Sequence, residues 1–154
     1  MQIYLIRHAH AVDATEDQKR PLSAQGRKQV KRLARFLCEK ELLDTDECWH
    51  SPLARSVETA KLLADGLHQS VRLVEVDGLQ GDDDPAIMAE RLKTRRHPVA
   101  LVGHEPHLSA LASLLVAGVS EPPRFVFKKS GAVALERREG VWAVCWQTTP
   151  QLVR

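Results

Sequence analysis

Three stretches of the chain carry residues that could act on a phosphoryl group. Arg7 and His8 end the run "QIYLIRH" near the start, Arg55 closes "HSPLAR", and His104 follows the apolar run "PVALVG". Arginine presents a planar fork that grips phosphate oxygens in pairs and stays charged at any working pH. A neutral histidine can attack phosphorus and split one difficult transfer into two easier ones through a phosphohistidine. Two arginines and a second histidine would hold the charge that builds on the equatorial oxygens during transfer.

The histidines also permit a metal reading. His8 and His10 alternate along an extended segment, a spacing that suits metal ligands. A metal-dependent barrel hydrolase built on that motif needs ~250 residues, and this chain has 154. "HEPH" at 104–107 is one residue short of H-E-x-x-H. No metal and no cofactor are therefore expected. His10 is expected at a loop or rim, His107 at a rim or surface, and Glu105 as an acid at a helix start, where the dipole favours it. His50, His68 and His97 are expected to be structural or exposed. The acidic "GDDDP" is expected to be a loop with a helix cap at Asp84 rather than a calcium site.

The bulk composition narrows the class. One domain over residues 1–154 is expected, with 44% hydrophobic residues to build its core. The net charge of +2 is small for a nucleic-acid binder. No apolar run approaches the ~20 residues of a membrane span, and "MQIYLIRHAH" lacks the basic region of a signal peptide. Cys38, Cys48 and Cys145 sit in apolar contexts and are expected as buried thiols in a reducing, cytoplasmic setting.

These residues need elements to position them. Residues 2–6 read as a strand. Residues 23–40 read as a helix capped by Ser23, with Val30, Leu33, Ala34 and Leu37 on one face and Arg27, Lys28, Lys31, Arg32 and Arg35 on the other. A strand at 46–50 leads to Ser51-Pro52, which predicts a capped helix start, with Val57, Ala60, Ala64 and Leu67 as its buried stripe. A strand at 71–76, a loop at 77–84 and a helix from Asp84-Pro85 to about 95 follow. The apolar 98–103 reads as a central parallel strand, and Pro106 to about Val116 as a helix with Gly118 just beyond it. Segments 131–137 and 141–147 read as a hairpin turning at Glu139-Gly140. This order predicts a single three-layer α/β domain. Its central sheet is mostly parallel and flanked by helices, with the antiparallel hairpin at one edge. In such sheets ligands bind at the carboxyl ends of the strands, which is where Arg7, His8, Arg55 and His104 fall.

Four motifs carry a family resemblance. "LIRHAHA", "RPLSAQGRKQ", "HSPLARSVETA" and "LVGHEPHLSAL" are similar, in order, to the signature segments of the histidine phosphatase superfamily, which includes the phosphoglycerate mutases. The short length and "FKKSGAVALE" most resemble its small SixA-type branch, whose namesake removes phosphate from histidine on a signalling phosphotransfer domain. The resemblance implies His8 as the nucleophile, Arg7 and Arg55 as phosphate clamps, and His104 as the second histidine. It lends weaker support to Arg20 and Ser51 as phosphate- or substrate-binding residues.

Two departures from the pattern stand out. Ala9 occupies the position of the family's glycine; a positive φ there would cost an alanine about 1 kcal/mol. Many relatives also supply a glutamate as proton donor after the third strand. Here the carboxylates on offer are Asp77 and, earlier in the chain, Asp17. The resemblance implies a phosphorylated partner, either a phosphohistidine protein such as a phosphotransfer domain or a small phosphomonoester such as a sugar phosphate or nucleotide. A non-catalytic phosphoprotein-binding module on the same fold would require the loss of His8 or His104, and both are present.

Overall fold

Six strands form one sheet in the order β3-β2-β4-β1-β5-β6. In this computed structural model, which describes residues 1–153, they are β1 Gln2–Arg7, β2 Glu47–His50, β3 Arg72–Glu75, β4 Val99–Gly103, β5 Ala132–Arg138 and β6 Val141–Thr148. The first four run parallel. β5 pairs antiparallel with β1, and β6 closes the edge as its hairpin partner. The helices are α1 Ala24–Glu39, α2 Ala54–Gly66, α3 Pro85–Lys93 and α4 His107–Ala117. This is the predicted mostly parallel α/β sheet with an antiparallel hairpin.

The order of strands follows from the chain's crossovers. After β1 the chain steps past β4 to β2 and β3, then returns to insert β4 beside β1. Right-handed crossovers place helices on opposite faces when the direction of travel reverses. Two cores result. Val30, Leu33, Leu37, Ala60 and Leu63 cover one face of the sheet, and Met88, Leu92, Leu108 and Leu111 cover the other. β1 and β4 are buried on both faces, hence their unbroken apolar runs. The reversal falls between β1 and β4, the switch point at which α/β sheets open a ligand crevice.

Local expectations needed three corrections. α2 starts at Ala54, with Leu53 at its cap; Ser51-Pro52 precedes the helix because the Ser51 hydroxyl is engaged elsewhere, with His104 and Leu53. Its buried stripe is accordingly Ser56, Thr59, Ala60 and Leu63, while Val57 and Ala64 are half-buried. Cys48 is buried, but Cys38 is half-buried and Cys145 is exposed. Cys145 occupies a bulge, where Ala134 pairs with Trp146 and Leu135 with Val144, so it falls out of the ladder.

The segment 9–22 is folded back on itself. A bridge joins Ala11 to Leu22, the Val12 N–H donates to the Pro21 carbonyl at 2.9 Å, and Asp17–Lys19 form a 3₁₀ turn at the far end. The base of this loop rests on the start of α1. Ser23 caps the helix by accepting from the Gly26 N–H, and its own N–H donates to the His10 carbonyl. Gly26 lies so close to His10 that a Cβ there would stand 2.1 Å from the His10 carbonyl oxygen. Gly26→Ala is therefore expected to destabilise the fold by about 2–3 kcal/mol, the scale of overpacking against unyielding backbone. Ala is otherwise the better helix former, so a Gly26→Ala protein that melts at or above the wild-type temperature would refute this contact.

Candidate active site

Strand register brings the two histidines together. Arg7 of β1 pairs with Gly103 of β4, so His8 and His104 are each the next residue on neighbouring parallel strands. The His8 N–H donates to the Gly103 carbonyl at 3.0 Å. The imidazole centroids lie 4.9 Å apart at 47°, and the two residues are 7% and 3% exposed.

Hydrogen bonding fixes the tautomer of each ring. His8 Nδ1 lies 2.8 Å from the Ala9 carbonyl oxygen. A carbonyl only accepts, so Nδ1 carries the proton, and the neutral ring keeps its lone pair on Nε2. Burial pushes the His8 pKa down to about 4; the Ala9 carbonyl opposes this, and the charges of Arg55, Arg7 and Lys129 add to the depression. His104 Nε2 lies 2.6 Å from the Ser51 hydroxyl oxygen, which also accepts from the Leu53 N–H at 3.3 Å. Among the described residues no other acceptor lies within reach of the Ser51 hydroxyl, so its proton points to Nε2. That leaves Nδ1 of His104 as a buried N–H with no partner in the protein. Burial, followed by the nearby charges of His8 and Arg55, lowers the His104 pKa to about 3. At neutral pH the pair thus offers one lone pair, on His8, and one N–H donor, on His104.

The arginines are anchored by backbone carbonyls. Arg7 Nη1 donates to the Phe127 carbonyl at 2.8 Å, and its Nε is buried without a partner. Arg55, in the first turn of α2, donates through Nη1 to the Asp17 carbonyl at 2.9 Å and through Nη2 to the Asp17 carboxylate at 3.3 Å. The Arg55 carbonyl accepts from the Thr59 hydroxyl, which in turn accepts from the Ala9 N–H. Arg55 is thereby tied to the residue that sets the His8 tautomer.

Ala9 is fully buried in the α1–α2 core, and its φ is not positive. The motif position therefore imposes no conformational cost on alanine here, and its methyl group fills core space.

The weaker candidates separate. Ser51 is fully buried and hydrogen-bonded to His104. Arg20 braces the 9–22 loop, donating to the Val12 carbonyl and the Asp17 carboxylate and pairing with Asp13. Asp17 faces the site through Arg55. Desolvation raises its pKa, but the hydrogen bonds and charges of Arg20 and Arg55 together overcome this and hold it below the usual carboxylate range. Asp77 is exposed and follows β3, three strands from β1, or about 14 Å at ~4.8 Å per strand. His10 is half-buried, with its Nδ1 2.7 Å from the Ser23 hydroxyl at the start of α1. Glu105 accepts from the Ser109 N–H and hydroxyl in the first turn of α4, as expected of a helix-start acid.

His107 corrects the expectation of a surface residue. It is 1% exposed, with both ring nitrogens unpartnered. It belongs to the inward stripe of α4 with Leu108, Leu111 and Ala112. Its place four residues before Leu111 was the signal that could have revealed this. His50 is buried, with Nδ1 2.9 Å from the Ser51 carbonyl oxygen, whereas His68 and His97 are exposed.

Two contributors were missed by sequence reasoning. The backbone N–H of Ser130 donates to both the Arg7 and His8 carbonyls, at 3.1 and 3.2 Å. Lys129 precedes it and places its charge near the His8 ring. Their signal in the sequence was the position of "KKSG" just before a strand that pairs with β1. Among the described residues, no group of three or more His, Cys, Asp or Glu side chains is arranged to hold a metal ion, and no helix is long and apolar enough to cross a membrane.

Comparison with known proteins places this geometry. The family profile "Histidine phosphatase superfamily (branch 1)" matches residues 3–80, just over half the chain. The phosphohistidine phosphatase SixA of Escherichia coli is 24% identical over 155 residues, covering 97% of this chain and 94% of its own length. The structure of the protein histidine phosphatase SixA complexed with tungstate superposes with a TM-score of 0.90 at 24% identity, covering all of both chains. The α-ribazole phosphatase of Shigella flexneri superposes with a TM-score of 0.73 at 16% identity, covering 97% of each chain.

If burial holds both rings neutral, neither should titrate between pH 5 and 8. Histidine Cε1–H resonances followed by NMR should show His8 moving only near pH 4. A His8 titration at the ordinary value would refute the described environment.

Proposed function

Because the chain belongs to the histidine phosphatase superfamily, branch 1, we propose that it is a metal-independent phosphatase. In this reading it works through a phosphohistidine on His8, and its substrate is a phosphohistidine-bearing protein. The observation that carries the reading is the His8 Nδ1–H bond to the Ala9 carbonyl, which leaves a permanently available Nε2 lone pair at a site flanked by two arginines.

In the first step the Nε2 lone pair forms a bond to phosphorus while the bond to the leaving group breaks, its electron pair departing with that group. Arg7 and Arg55 grip the equatorial oxygens, and the His104 N–H donates to one of them. Arg55 must loosen its contacts with Asp17 to do so. In the second step water attacks phosphorus, the P–Nε2 bond breaks, and the lone pair returns to His8. The proton released by water goes to solvent, since Arg20 and Arg55 hold Asp17 below the usual carboxylate range and make it a weak base.

The placement of the carboxylates favours an imidazole leaving group. Asp17 is held ionised and Asp77 stands at the far side of the sheet, so neither is set to protonate an alkoxide. In a phosphohistidine substrate the other ring nitrogen can take a proton from water near neutral pH, as imidazoles do around 6.5, so the ring departs as neutral imidazole without an acid from the protein. The E. coli relative bears the name phosphohistidine phosphatase, which agrees. The α-ribazole phosphatase shares the fold and keeps a small phosphomonoester as the second reading.

Rapid labelling with a reactive phosphodonor should give an acid-labile, alkali-stable phosphoenzyme in the wild type and none in His8→Ala. Full activity in His8→Ala would end the mechanism. Arg55→Ala is expected to lower kcat/KM by ~10²-fold, the scale of losing one preorganised charge-stabilising group, with partial rescue in Arg55→Lys. Between substrate classes, a phosphohistidine protein should be turned over with higher kcat/KM than sugar phosphates or nucleotides. A phosphometabolite hydrolysed near 10⁶ M⁻¹s⁻¹, within the usual range for true substrates, would promote the second reading.

A further inference from the structure

The turn that precedes β5 is bolted to the nucleophile. The Gly131 N–H donates to the Lys128 carbonyl at 2.8 Å, and Ser130 takes φ +62° at the third position of the turn, as a type II turn requires. The Ser130 N–H bridges the Arg7 and His8 carbonyls, and the Arg7 N–H donates to the Gly131 carbonyl at 3.0 Å. Lys129 is therefore the apex of a turn fixed on the backbone of His8. It is half-buried, and Lys128 beside it is exposed.

This turn abuts α1. Ser130 lines a small cavity with Gln29 and Arg32 of that helix. Lys28 lies one helical turn before Arg32 on the same face, and both are exposed. None of Lys28, Arg32, Lys128 and Lys129 forms an ion pair among the described residues. The other side of the site has the opposite sign. Loop residues Asp82 and Asp84 are exposed and Asp83 is half-buried. That loop packs on the residue after His104, because a Cβ at Gly81 would stand 2.7 Å from the Glu105 carbonyl oxygen.

We propose that the strip formed by Lys28, Arg32, Lys128 and Lys129 is a docking surface for an acidic face flanking the phosphorylated residue of a protein substrate. The inference rests on the phosphatase reading above and adds the side from which the partner approaches. An acidic surface is drawn over α1 and the 128–131 turn and repelled by the 82–84 carboxylates, so it can present its phosphoryl group to His8 in one orientation only. Opposite-charge surfaces of this kind govern encounter and register, and the attraction fades as the Debye length falls to ~3 Å in molar salt.

The test uses full-length His8→Ala protein and three phosphohistidine peptides of equal length, with acidic, neutral and basic flanks, read by fluorescence anisotropy. At low salt the acidic peptide should bind about tenfold more tightly than the basic one, as expected for several weak surface pairs acting together. The preference should collapse in high salt. Lys28→Glu/Arg32→Glu, and separately Lys128→Glu, should abolish or invert it. The same reversals introduced into protein with His8 intact should leave p-nitrophenyl phosphate hydrolysis unchanged. Equal affinity for the three peptides would overturn the proposal. So would an acidic preference that survives the reversals, or equal competition by an oligonucleotide of matched charge. A wild-type protein that shows the flank preference but hydrolyses no phosphate would instead remove the phosphatase reading and leave the docking surface standing.

Discussion

The parallel pairing of β1 with β4 is the constraint on which the site depends. Arg7 opposite Gly103 sets the register, and the closeness of His8 to His104 follows from it. A shift of one residue would turn the side chains of one strand to the other face, parting His8 from His104 and burying polar groups in both cores. The register is enforced from both sides. Ile3, Leu5, Leu101 and Val99 lock into one core, and Tyr4, Ile6, Ala100 and Val102 into the other. The precision of the histidine pair is thus a by-product of how the hydrophobic centre packs.

A second layer of order comes from bonds between backbone and side chain. The Ala9 N–H, the Thr59 hydroxyl and the Arg55 carbonyl form a short relay joining the loop after β1 to the first turn of α2. Ser51 supports His104 from below. The relay holds Ala9 in place, and the Ala9 carbonyl and the Ser51 hydroxyl determine which nitrogen of each imidazole holds a proton. Burial and hydrogen bonding act together here. Burial keeps the rings neutral, and the fixed acceptor or donor beneath each ring leaves only one of the two neutral forms.

Much of this was legible in the residues. The strands could be read because β1 and β4 are apolar throughout, and α1 because Val30, Leu33 and Leu37 recur at helical spacing below the Ser23 cap. His8, Arg7, Arg55 and His104 could be read because residues at strand ends converge in a parallel sheet. Three kinds of information were not local. The true start of α2 depended on His104, 53 residues away, drawing the Ser51 hydroxyl out of a capping role. The burial of His107 depended on which face of α4 met the sheet. The closeness of Lys129 and Ser130 to His8 depended on an antiparallel partner more than a hundred residues later, and a positive φ at a serine leaves no mark in composition. Asp17 could be named as a nearby carboxylate, but its bond to Arg55 follows from the closure of the 9–22 loop.

That closure bears on how the scaffold can change. The Ala11–Leu22 bridge seals the loop at its neck, so the ten residues between form a side branch hung on the domain. Residues 13–19 at its end are exposed. Lengthening a loop whose ends are already fixed costs little, about 0.6 kcal/mol for each doubling. Insertions at residues 13–16 would therefore leave the register, the tautomers and both cores untouched while altering what can reach the crevice. Change in substrate choice can therefore concentrate at residues 13–16 of one sealed branch, while Asp17, on which Arg55 is anchored, ties the end of that branch to the crevice.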